Sequence, residues 1–120
     1  MCQEINAGDV VKVPFPTDAG PLPHFALVIK LETFISGSPI VTVAYGSSKK
    51  VSVSGHLPHE FVLERPEDLE AAGLKVPTRF DLLRRERLTV EQCAYKGRLR
   101  LEDPGTKGRL MNALRAAYGL

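Results

Sequence analysis

Three short stretches of the chain carry side chains able to do chemistry. In LPHFALVIK, residues 22–30, His24 stands between Pro23 and Phe25, directly before an apolar run. Histidine is the side chain that changes charge near neutral pH, so an imidazole at the mouth of a core strand suits proton transfer. The same ring suits simple packing at the end of a loop. In YGSSKK, residues 45–50, Gly46 is followed by two hydroxyls, Ser47 and Ser48, and two ammonium groups, Lys49 and Lys50. Hydroxyls and lysines on a turn can hold a phosphate; they also make an everyday solvent loop. In HLPHE, residues 56–60, His56 and His59 have His-x-x-His spacing. Pro58 forbids a helix there and no third ligand is indicated, so no metal site is expected. No Walker motif, G-x-G-x-x-G or G-x-S-x-G occurs, and no cofactor is expected.

Charge adds a fourth feature. The net charge is only +2, but the halves differ. Up to Leu74 there are five Lys/Arg against nine Asp/Glu, a net −4; from Lys75 onward there are eleven against five, a net +6. Arg79, Arg84, Arg85, Arg87, Arg98 and Arg100 lie close together in sequence. Guanidinium forks bind phosphates bidentately, so this cluster points toward nucleic acid. The plain alternative is a solvated face shared with Glu86, Glu91 and Glu102.

The elements that must position these residues are short. GDVVKVPFP, residues 8–16, reads as a β-branched strand ended by Pro14 and Pro16. TDAGPLP, residues 17–23, reads as a loop, which sets His24 at a loop-to-strand junction. HFALVIKLE is a second strand, SGSP a turn, and IVTVAYG a third strand with the apolar run of a two-sided core. HEFVLE gives a fourth strand, RPEDLEAAG one or two helical turns, and RFDLLRRERL a fifth strand, whose LRRER portion reads equally as helix by propensity. A closing helix starts at Asp103-Pro104, or is capped by Thr106, and carries a stripe of Leu110, Met111, Leu114, Ala117 and Tyr118. Several short strands and a last helix predict a mainly β protein, a small bent sheet or barrel.

With 120 residues, 43% apolar and 25% charged, the chain suits one soluble globular domain over residues 1–120. No apolar run approaches the ~20 residues that span a bilayer, and the start has no signal-peptide pattern, so a cytoplasmic protein without membrane contact is expected. Cys2 and Cys93 follow no metal or redox spacing and read as reduced thiols or a single disulfide.

Taken in order, GDVVKVPFP, GPLPHFALVI, IVTVAYGSSK and AAGLKVPTRFDLLRRERLT resemble the PemK/MazF family of toxins from toxin–antitoxin systems, over residues 8 to about 90. That resemblance implies an SH3-like β-barrel of about five to seven strands with a C-terminal α-helix, usually a homodimer. It implies a metal-independent endoribonuclease acting on RNA, mRNA foremost, and neutralised by a cognate antitoxin. In such enzymes the 2′-OH attacks the adjacent phosphate, leaving a 2′,3′-cyclic phosphate and a 5′-OH. The family places an arginine before ALV and a hydroxyl after the third strand. Here those places hold His24 and Ser47.

Two readings follow. In one, His24 serves as base or acid, Ser47 holds the phosphate, and Arg79, Arg84 or Arg85 supplies charge, with Ser48, Lys49 and Lys50 binding RNA. In the other, the chain is an inactive relative that binds RNA or a peptide.

Overall fold

A computed structural model describes residues 4–33, 37–49 and 57–119. Cys2, Lys50 and His56 lie outside the described residues. Six strands form one antiparallel sheet: β1 (Asp9–Phe15), β2 (Leu22–Glu32), β3 (Ile40–Ser47), β4 (Glu60–Leu63), β5 (Thr78–Thr89) and β6 (Ala94–Arg98). Their spatial order is β4-β5-β3-β2-β1-β6. The register shifts at Val10/Val11, Val28/Lys30 and Ala44/Tyr45, and such bulges bend a sheet. The result is a curled half-barrel, closed by α1 (Pro66–Ala72) and α2 (Pro104–Tyr118).

Both faces of the sheet are buried, which explains the largely apolar sequences of the first three strands. On one face Val10, Leu27, Ala44, Phe61, Phe80 and Leu82 pack with Ala72 of α1 and Leu110 and Ala113 of α2. On the other, Val11, Val13, Phe15, Ala26, Val28, Val41 and Val43 pack with Ile5. Burying each of these Val, Leu, Ile and Phe side chains contributes about 1.5–3 kcal/mol.

Four local expectations need correction. The first strand does not stop at Pro14; it runs on to Phe15, with Pro14 opposite Pro23. β6 pairs β1 only from Asp9 to Lys12, so beyond that point β1 has an open side where a missing N–H is harmless. The second strand begins at Leu22, so His24 sits inside it, not at its junction with the loop. β6, AYKGR, is a sixth strand that its polar, glycine-containing sequence did not announce. On α2 the packed stripe is Leu110, Ala113, Leu114 and Ala117, while Met111 and Tyr118 are exposed.

The helix ends follow their chemistry. Asp103 caps α2, accepting from the Thr106 N–H at 3.0 Å and the Thr106 hydroxyl at 2.9 Å, with Pro104 at the first turn. Thr106 is therefore a capped residue, not the cap. Gly73 ends α1 in the left-handed region (φ 72°).

A cationic cavity across four strands

The β2–β3 register sets Ala26 opposite Tyr45. Two residues further along each strand, the same register brings His24 beside Ser47. Both border one cavity of about 580 Å³, together with Ser48 and Lys49. Gly46, between Tyr45 and Ser47, makes this approach possible: a Cβ there would stand 2.6 Å from the Phe25 carbonyl oxygen.

Aromatic packing holds the His24 ring. It lies 4.8 Å from the Tyr45 ring at an interplanar angle of 46°. Tyr45 is fixed in turn by Phe15, edge-on at 5.0 Å, and by the Arg84 guanidinium, 4.0 Å from its centroid. Among the described residues no hydrogen bond engages a His24 nitrogen, so both are available to a ligand. The Ser47 hydroxyl oxygen accepts the Lys49 backbone N–H at 3.1 Å. That contact uses a lone pair and leaves the Ser47 O–H free to donate.

Lysines dominate the charge here. Among the described residues Lys12, Lys49, Lys75 and Lys96 line the cavity, and no carboxylate does. The Lys12 ammonium lies over the Phe25 ring, 5.2 Å from its centroid. Among the described residues none of these four lysines has an ion-pair partner. The arginines behave differently. Arg65, Arg100 and Arg109 converge on Asp68, Arg87 pairs with Glu32, and Arg98 pairs with Asp9.

The three arginines singled out by sequence therefore stand apart from the cavity wall. Arg79 lies opposite Ser47 on the neighbouring strand, but its guanidinium is paired with Glu60, and among the described residues its buried Nε has no hydrogen-bond partner. Arg84 reaches the site only through Tyr45. Arg85 stacks on Tyr118, 4.3 Å from the ring centroid. Sequence reasoning passed over Lys12, Lys75 and Lys96. For Lys12 a signal existed, because it is the one charged residue within VVKVPF. Lys75 and Lys96 carry no such mark, since only the fold brings them to this wall.

Other titratable groups lie elsewhere. His59 Nε2 is 3.5 Å from Asp81 Oδ1. Among the described residues no three His, Cys, Asp or Glu side chains converge as a metal-ligand group. The Cys93 thiol is pushed up to about 11, by burial first and by the nearby Glu91 carboxylate second. Among the described residues no helix is long and apolar enough to cross a membrane.

No protein-family model matches the chain, and no curated protein is similar to it in sequence. Similarity appears in three dimensions. An endoribonuclease in complex with its cognate antitoxin, from a mycobacterial species, superimposes with a TM-score of 0.64 at 17% identity, over 98% of this chain and 97% of that one. A second mycobacterial endoribonuclease gives 0.58 at 18% identity, over 98% and 97%. The fold implied by the PemK/MazF resemblance is thus the fold found here, shared along nearly the whole chain with solved endoribonucleases.

Proposed function

We propose that the chain is an endoribonuclease toxin of a toxin–antitoxin system, cleaving RNA in the cavity that joins His24 and Ser47. The observation that carries this reading is the cavity's charge: among the described residues Lys12, Lys49, Lys75 and Lys96 line it together with His24, none of the four has an ion-pair partner, and no carboxylate lines it. Such a site attracts a phosphodiester.

The chemistry follows from the groups present. A neutral His24 nitrogen takes the proton of the RNA 2′-OH. The O2′–P bond forms, the P–O5′ bond breaks, and O5′ leaves with a proton from solvent. The Ser47 O–H donates to a phosphate oxygen, and the lysines offset charge that builds on the phosphorane. In this reading the fixed cation, at the place where the PemK/MazF pattern has an arginine, comes from the lysines that line the cavity. Lys49 and Ser48 add contacts at the rim. Arg84 acts through Tyr45, as a positioning residue.

A cognate antitoxin and a homodimer belong to the same reading. The antitoxin is supported by the complex in which one structural neighbour was solved, and the homodimer by the resemblance alone. Light scattering at micromolar concentration should give twice the chain mass; a monomer removes the dimer.

The test of function is product chemistry. Incubated with a mixed RNA pool in EDTA, the protein should leave 2′,3′-cyclic phosphate and 5′-OH ends. Intact RNA at high protein concentration, with RNA retained on the protein, would assign the chain to binding without cleavage.

A further inference from the structure

The cavity is wider than one phosphodiester requires. Ser47, His24, Lys12 and Lys96 stand on β3, β2, β1 and β6, four consecutive neighbours in the sheet. At about 4.8 Å per strand, Lys96 lies roughly 14 Å across the sheet from Ser47. Its direction comes from a bulge. Val11 pairs with Tyr95 and Val10 with Gly97, which leaves Lys96 as the extra residue. An extra residue of this kind re-aims its side chain.

Two glycines then bring a second lysine to the same wall. A Cβ at Gly73 would clash with the Lys96 carbonyl, and one at Gly97 would clash with Ala71 and Ala72. These backbone-to-backbone contacts clamp the end of α1 onto β6. Lys75 follows Gly73 by two residues and faces the same cavity as Lys96. Two ammonium groups without carboxylate partners repel each other unless an anion lies between them.

We propose that Lys75 and Lys96 form a second phosphate subsite. It takes the phosphodiester next to the one at His24 and Ser47, so that single-stranded RNA is held through two successive phosphates. The assignment of the first phosphate rests on the cleavage reading above; the subsite itself rests on the lysines. A cavity of about 580 Å³ admits a nucleotide-sized ligand, whereas a duplex keeps its bases inside and its backbone too broad to enter.

The test uses uncleavable 2′-O-methyl oligonucleotides and calorimetry on the full chain. A trinucleotide carries two phosphodiesters and a dinucleotide one. In Lys75→Ala/Lys96→Ala the trinucleotide should bind about tenfold more weakly, while the dinucleotide changes by less than about twofold. Lys75→Arg/Lys96→Arg should restore trinucleotide binding, which separates lost charge from lost fold. Equal loss for both ligands, no loss for either, or no binding of either to the wild type overturns the subsite. Lysine-dependent binding of hexaglutamate without the trinucleotide overturns it too, in favour of an acidic peptide. Because these ligands lack a 2′-OH, the result stands apart from any cleavage assay.

Discussion

His24 depends on its neighbours for its position, and those neighbours are tested one side chain at a time. Gly46 is a tight point beside it, because a methyl group there meets the Phe25 carbonyl oxygen and the Phe80 ring. Gly46→Ala should cost about 1–3 kcal/mol in urea unfolding and disturb the β2–β3 approach that pairs His24 with Ser47. Cys93 offers a readout of burial on the other face. With its thiol pushed up to about 11, alkylation of the folded protein should stay slow at pH 8 and accelerate only as pH approaches that value. Fast labelling at pH 8 would show an exposed thiol. Much of this site was legible at the residue level: His24, Ser47, Ser48 and Lys49 stood out by type and position, and one cavity gathers them. The arginines misled, because residues that crowd in sequence on β5 alternate between faces and find Glu60 or tyrosine rings as partners. Lys75 and Lys96 lie 21 positions apart and meet only through glycine contacts that no local pattern reveals.

At the scale of elements, α1, α2 and the segment between β6 and α2 meet at one carboxylate. Asp68 is 2% exposed and receives Arg65, Arg100 and Arg109 at 3.1, 3.5 and 3.8 Å. Asp68→Ala should destabilise by about 2–3 kcal/mol, because charged hydrogen bonds at a buried acceptor are lost together. Denaturant midpoints unchanged from wild type would show that the helices are held by apolar packing alone. Asp103 gives the same junction a pH dependence. Its carboxyl is held below the usual range, first by the hydrogen bonds from Thr106 and then by Arg65. A depressed carboxyl contributes stability that is present above its unfolded value near ~3.9 and is lost as pH falls through the folded value. The acid limb of the unfolding curve should therefore flatten in Asp103→Asn, with the largest difference between variants above pH ~4. Element order was largely readable, because branched strands, a proline at each helix start and Gly73 are local signals. β6 was not, since it is held by pairing with β1 and by contact with α1 rather than by its own apolar pattern.

For the whole molecule, the fold collects positive charge from distant parts of the chain at one place. A net charge of +2 conceals this, because Arg65, Arg79, Arg87, Arg98, Arg100 and Arg109 pair with carboxylates, while among the described residues the four lysines that line the cavity have no ion-pair partner. RNA affinity should accordingly fall steeply with salt, at about 0.7 log units per log unit of salt for each phosphate engaged. The central claim is that this charged cavity both binds and cleaves, with His24 as the proton-transfer group. The most direct measurement is the cleavage rate of one labelled oligoribonucleotide in EDTA, for wild type and His24→Ala, at protein concentrations that saturate binding. The account predicts about 10²–10⁴-fold slower cleavage in His24→Ala with binding retained. Equal rates in the two proteins, or no cleavage by the wild type of RNA that it demonstrably binds, would contradict it.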